Sequence, residues 1–154
     1  MDEYEQKLKN LIQAHHLQAT HLVYAQSCHS VAEAAQAADV AETDFVKNIC
    51  LLDADGHLIV AIVKGEDRAS LTRISKALGI PKPRLATPQE ILQKTGFPCG
   101  GTPSFGYEAR FLIDSKVMEK EVIYSGGGSE NSLVKISTKE LQRANGGSIV
   151  SIRK

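Results

Sequence analysis

At 154 residues, with 42% apolar and 23% charged side chains, the chain is long enough for one hydrophobic core and too short for two comfortable domains, so a single domain over 1–154 is expected; disordered and fibrous classes are excluded. Eighteen basic side chains balance eighteen acidic ones, which excludes wholesale wrapping of nucleic acid by a basic surface while leaving room for a local patch. Cys28, Cys50 and Cys99 are dispersed without a Cys-x-x-Cys pair, the N-terminus is acidic, and no apolar run approaches the roughly 20 residues of a membrane helix, so a reducing, cytoplasmic setting is expected.

Tyr4, Leu8, Leu11, Ile12 and His15 recur at three- and four-residue steps and predict an amphipathic first helix ending near His16 and Leu17. A short strand is expected from His21 to Gln26, followed by an Ala-rich helix for which Ser30 and Glu33 supply a capping box. Phe45 to Leu52 and His57 to Val63, joined by Asp55 and Gly56, predict an antiparallel hairpin. Leu71, Ile74 and Leu78 mark a helix stopped by Gly79, and Thr87, Pro88 and Glu90 combine an N-cap, a proline at the first helical position and a reciprocal glutamate for a helix reaching about Lys94. Strands are expected at Arg110–Asp114, Glu121–Ser125, Ser132–Ser137 and Ser148–Ile152, with a turn at Ser115 to Met118 and a last helix from Thr138 to about Ala144. This hairpin-rich order favours an α+β fold over alternating βαβ units.

Two features stand out against that background. Gly96 to Gly106 holds four glycines and two prolines, a loop held in one shape, which reads equally as an awkward connector or as a ligand-binding turn. Lys47 is the only Lys or Arg between His29 and Val63, and the period of two places it on one strand face with Phe45, Ile49 and Leu51, where an ammonium needs a partner or a cavity. A second glycine run, Gly126 to Gly128, is either a loose hairpin or a row of backbone N–H donors. From Lys64 to Arg84 six basic residues face two acidic ones, either a solvated helix face or a phosphate-contacting edge; Arg73 and Lys76 are the candidate phosphate contacts within it.

Conventional catalytic sets are thin. His15, His16, His21, His29 and His57 show no metal-binding spacing, so neither a metal nor another cofactor is expected. Ser104 lacks the Gly-x-Ser-x-Gly elbow, and Cys99 lacks a local nucleophile signature, leaving a cysteine hydrolase poorly supported. What remains is a lysine facing a pocket and glycine backbone donors, a combination suited to stabilising an oxyanion or anchoring a phosphate, with water or a substrate hydroxyl as the nucleophile.

Phe45-Val46-Lys47-Asn48-Ile49, the helix ending Lys76-Ala77-Leu78-Gly79, Thr95 to Gly101 leading on to Gly106, Ile113-Asp114, and Tyr124-Ser125-Gly126-Gly127 occur in an order and spacing that resembles the YbaK-like and prolyl-tRNA-synthetase-associated editing domains, which deacylate mischarged tRNA. The resemblance covers nearly the whole chain. It implies a mixed, largely antiparallel curled sheet with flanking helices, and catalytic roles for Lys47, at the terminal adenosine, and Gly100, whose amide holds the aminoacyl carbonyl while a ribose hydroxyl assists water activation. Asn48, Gly101, Ser125, Gly126, Gly127 and Asn131 are the implied substrate-binding residues. The implied partner is the acceptor end of a mischarged tRNA, tRNA-Pro in the first instance, with a tRNA synthetase as a further candidate and neither membrane nor DNA. Gly100-Gly101-Thr102-Pro103-Ser104-Phe105-Gly106 departs from the usual Gly-Gly-x-Ser-Pro-x-Gly, and Asn48 stands where cysteine-removing members carry threonine, as in the alanine-editing branch. The expectation is a free-standing deacylase of small aminoacyl esters (Ala, Ser or Cys), since 154 residues cannot also hold an activation domain. The alternative is a non-catalytic module of the same fold that binds a nucleotide or a tRNA end.

Overall fold

The computed structural model describes residues 2–28 and 30–154; His29 lies outside the described residues. The chain begins with α1 (Glu3–Ala14), set by a capping box in which the Asp2 carboxylate accepts from the Glu5 N–H at 2.8 Å, and it buries Leu8 and Ile12. Strand β1 (Ala19–Val23) and helix α2 (Val31–Ala38) follow. Ser30 caps α2 by accepting from the Glu33 N–H, but the reciprocal half of the expected capping box is not formed. The hairpin β2 (Val46–Leu52) and β3 (Leu58–Lys64) is antiparallel, with Lys47 opposite Val63, and Asp53 closes its turn by accepting from the N–H groups of Asp55 and His57. Next come α3 (Leu71–Leu78), β4 (Arg84–Leu85) and α4 (Pro88–Thr95), the last with the expected Thr87–Glu90 capping box. The chain closes with β5 (Arg110–Asp114), β6 (Val122–Gly126), β7 (Ser132–Ser137), α5 (Thr138–Asn145) and β8 (Ser148–Val150).

Two sheets result. The larger runs β4-β2-β3-β5-β8, antiparallel through β4, β2 and β3 and parallel from β3 through β5 to β8; the smaller, β1-β7-β6, is wholly antiparallel. The α+β class and the largely antiparallel pairing hold. The expected curled sheet is divided, its two parts meeting, among the described residues, at a parallel bridge between Phe45 and Tyr124. Because β5 pairs parallel with β3, the segment between them must cross over, and α3 and α4 are what fill that crossover.

Alternation along β2 sorts its side chains. Val46, Cys50 and Leu52 enter the main core with Val60, Ile113, Ile123 and Val134, whereas Leu51 and Ile49 face Ile74 of α3. Phe45, one residue before the strand, departs from the face expected for it and packs under α2 with Ala34, Tyr124 and Leu133. All seven residues of β3 are buried, as a strand covered on both faces requires. The first strand is shifted from the expected His21–Gln26 because its register pairs Ala19 with Ile136 and Val23 with Ser132. The two-residue β4 was not expected; Arg84 and Leu85 are exposed, and no periodicity marks them. At the C-terminus the buried Asp114 carboxylate accepts from the Ile152 and Arg153 N–H groups at 2.8 and 3.1 Å and from Arg153 Nη1 at 3.0 Å, which clamps the tail beside α3.

Candidate active site

A cavity of about 200 Å³ opens where the two sheets meet. Its walls come from β2 (Val46, Lys47, Asn48), the loop after α4 (Cys99, Gly100, Thr102), β6 (Tyr124, Ser125, Gly126) and the N-terminal part of α2 (Val31, Ala34). Five of the residues expected at the site, Lys47, Asn48, Gly100, Ser125 and Gly126, are therefore brought together from three separate stretches of chain.

Lys47 is partly buried and its ammonium makes no hydrogen bond or ion pair among the described residues, so its charge is not neutralised from within the fold. It also borders a second cavity, of about 410 Å³, lined by Arg68, Lys82 and Lys154 together with Ile49, Leu71 and Leu85. None of the described residues lining that groove is acidic.

The loop after α4 is built on close backbone approach. Gly100 has φ +94°, a conformation that a side chain strains, and its N–H has no partner among the described residues. Three nearby glycine amides are spent internally: Gly101 N–H on the Pro98 carbonyl at 3.0 Å, Gly127 N–H on Ser132 at 3.2 Å, Gly128 N–H on Gly101 at 2.7 Å. A Cβ on Gly101 would stand 2.5 Å from Gly128 C and Ser129 N, and one on Gly126 would collide with the Thr102 carbonyl. Gly101, Gly127 and Asn131 thus do not line the cavity. Gly101 and Gly127 hold the loops together, and Asn131 accepts from Tyr24 N–H at 2.7 Å where β1 leaves the sheet. The family resemblance implied substrate-binding roles for all three, and adjacency in a glycine run does not say which amides the fold consumes.

Behind the wall lies a buried polar cluster. Asn48 Nδ2 donates to the Thr102 carbonyl at 2.9 Å and to Ser125 Oγ at 3.2 Å, Ser104 Oγ donates to Asn48 Oδ1 at 2.6 Å, and the Ser104 and Ser125 hydroxyls are 2.5 Å apart. Asn145 of α5 supports it by donating to the Ser104 carbonyl at 3.0 Å. Ser104 and Thr102 had no sequence signal beyond their place in the glycine loop. Two thiols line the cavity: Cys28, buried and raised above the ordinary thiol range by that burial and by Glu33, and the exposed Cys99. Cys50 sits in the core, its thiol pushed up to about 12 by burial and, to a smaller degree, by Cys99. None of the described residues lining the cavity is a histidine or a carboxylate. The one tight group of metal-ligand types among the described residues, Asp53, Asp55 and His57, belongs to the hairpin turn.

Arg73 and Lys76 are exposed on α3, away from the main cavity but on the helix whose first turn borders the basic groove. No described helix is long and apolar enough to cross a membrane.

A model of the aminoacyl-tRNA editing domain matches residues 25–144. The chain belongs to that family. All the cavity-lining residues fall inside the matched span of the editing domain. Over 117 residues the chain is 24% identical to the uncharacterized protein YwhH of Bacillus subtilis, covering 75% of this chain and 74% of that one. Over 96 residues it is 27% identical to a proline–tRNA ligase of Trichlorobacter lovleyi, covering 62% of this chain but only 17% of the ligase. Among solved structures it superposes on the hypothetical protein APE2540 with a TM-score of 0.87 and 29% identity, covering 96% of this chain and 99% of the other. A structure described as a "putative trans-editing enzyme for prolyl tRNA synthetase" matches with a TM-score of 0.90 at 23% identity over 100% and 99% of the two chains, a likeness of fold.

Proposed function

We propose that this editing domain acts as a free-standing hydrolase that removes a small, wrongly attached amino acid, of the alanine, serine or cysteine type, from tRNA, with tRNA-Pro the first candidate. The observation that carries the reading is the pairing, in one small cavity, of an un-neutralised Lys47 with the unspent N–H of Gly100. Water attacks the ester carbonyl carbon, the carbonyl oxygen gains negative charge, and collapse of the intermediate expels the ribose oxygen, which takes up a proton; the products are the free amino acid and the intact tRNA. Gly100 N–H donates to the developing oxyanion, and Lys47 holds the phosphate-rich adenosine end beside it. No described side chain in the wall is suited to act as general base, which favours a hydroxyl of the terminal ribose in that role.

The cavity size supports a small substrate side chain. About 200 Å³ is less than the roughly 300–1,000 Å³ of sites that enclose a drug-sized ligand, and Val31, Ala34, Phe45 and Leu133 give it apolar walls. The adenosine and acceptor strand then lie outside, and the adjoining groove with Arg68, Lys82 and Lys154, together with Arg73 and Lys76 on α3, offers phosphate contacts. The likeness to a segment of a proline–tRNA ligase and to the trans-editing structure favours tRNA-Pro and a synthetase as partner.

Incubation with alanyl-, seryl-, cysteinyl-, leucyl- and phenylalanyl-tRNA-Pro, following loss of the amino acid, is the test. Rapid release of one or more small residues with the bulky ones retained is expected. Tight binding of the same tRNAs without release would establish instead a module that holds a tRNA end.

A further inference from the structure

One carbonyl fixes the direction of every hydrogen bond in the cluster behind the cavity. The Thr102 carbonyl oxygen, 2.9 Å from the Asn48 amide, carries no proton, so the nitrogen of that amide must face it. Asn48 Oδ1 is then turned to Ser104 Oγ at 2.6 Å, and Ser104 commits its single proton there. The 2.5 Å contact between Ser104 Oγ and Ser125 Oγ requires one donor, and Ser104 has no proton left to give; Ser125 donates. The second amide proton of Asn48 reaches Ser125 Oγ at 3.2 Å and closes a ring in which each of the three groups gives once and receives once. Ser104 is fully buried and Ser125 is 2% exposed, so no bulk water competes for these protons. What Ser125 retains toward the cavity it lines is a lone pair.

The floor of the cavity is thus an acceptor and cannot donate to a carbonyl. Phe45 and Tyr124, whose ring centroids are 5.3 Å apart, line the same cavity, and aromatic rings are compatible with a nearby cation. Lys47, also in the wall, disfavours a second positive charge next to itself and favours ester and phosphate oxygens.

We propose that Ser125 binds the α-ammonium group of the aminoacyl ester and that Ser104, which does not line the cavity, is the positioning residue that keeps the Ser125 lone pair turned to it. The inference rests on the hydrolase reading and adds to it a chemical requirement, a free and positively charged α-amino group. It also orients the substrate, with the ammonium at Ser125 and the ester oxygen at Gly100.

The test compares esters that differ only in that group: alanyl- and seryl-tRNA against lactyl- and glyceryl-tRNA, made from them by nitrous acid, with each rate divided by the spontaneous hydrolysis of the same ester. Wild-type protein should prefer the amino ester by roughly tenfold to a hundredfold in kcat/KM, the range of one charge-assisted hydrogen bond. Ser125→Ala and Ser104→Ala should each shrink that preference toward unity. Equal corrected rates on the two classes by wild-type protein would overturn the inference while leaving the hydrolase standing, and need no variant to fold. Variants that slow both classes by the same factor would overturn it as well. Hydrolysis of neither class would remove the hydrolase reading and this inference together.

Discussion

The Gly101 carbonyl accepts a hydrogen bond from the Gly128 N–H at 2.7 Å, which makes one substructure of two loops 27 positions apart in the chain. A methyl group on Gly101 or Gly126 would have to displace backbone of the facing loop, which has no flexible end to move. Gly101→Ala and Gly126→Ala are each expected to lower stability by about 2–3 kcal/mol, as overpacking in a filled interior does. Urea midpoints check this. Val134→Ala, a cavity elsewhere in the core, should lower the midpoint without the additional loss of deacylation expected when the loop wall itself is disturbed.

Lys47 lines both the cavity and the basic groove, and its ammonium has no partner among the described residues. Lys47→Ala should leave stability within about 0.5 kcal/mol, since no ion pair is broken. Deacylation should fall by roughly a hundredfold or more, the order lost when a positioning contact that aligns the reacting ester is removed. Lys47→Arg should not restore it, because a planar guanidinium occupies a different volume from an ammonium. Single-turnover rates beside thermal melts of the three proteins separate the two effects.

Gly100 combines φ +94° with an unspent N–H. Gly100→Ala strains that conformation and turns the amide, so turnover should drop by roughly a hundredfold, the order seen when one oxyanion donor is lost. Binding of uncharged tRNA, governed by phosphates outside the cavity, should change little. Equal losses in binding and turnover would remove the oxyanion role from this amide.

The basic groove and α3 predict a shallow salt dependence. With on the order of three or four phosphates contacted, the slope of log K against log salt should lie near −3. Arg68→Ala with Lys82→Ala should flatten it by about 1.5, and Arg73→Ala with Lys76→Ala should flatten it further if the strand continues along α3. A slope unmoved by either pair would place the nucleic acid on another face.

Glu140 ties α5 to the chain between α1 and β1. Its carboxylate accepts from Arg143 and from the Gln18 N–H at 2.6 Å, and these contacts, the Arg143 hydrogen bond first, hold its pKa at about 2 instead of 4.5. A depressed carboxylate contributes stability that is fully present above pH 4.5 and is lost as pH falls toward about 2. Glu140→Gln should therefore flatten the acid limb of the stability profile in that window and leave its slope near neutral pH unchanged. Chemical denaturation at several pH values measures it.

Local signals determined most elements. The Thr87–Pro88–Glu90 cap, the Asp55–Gly56 turn and the glycine after Leu78 each act within a few residues of themselves, and the helices and hairpin they predict are found. The five family motifs likewise survive in linear order, and they named Lys47, Asn48, Gly100, Ser125 and Gly126, which the fold gathers around one cavity. Tertiary structure alone decided how those pieces meet. Whether a glycine N–H is free or spent depends on which carbonyl lies opposite, and for Gly128 that carbonyl is that of Gly101, in a loop 27 positions away. The division into two sheets follows from the parallel crossover between β3 and β5 and the Phe45–Tyr124 bridge, neither of which has a local signature. Ser104, 56 residues from Asn48, is invisible as a partner until long-range packing sets its hydroxyl against the amide, because hydrogen-bond direction is a property of neighbours in space and not of neighbours in the chain.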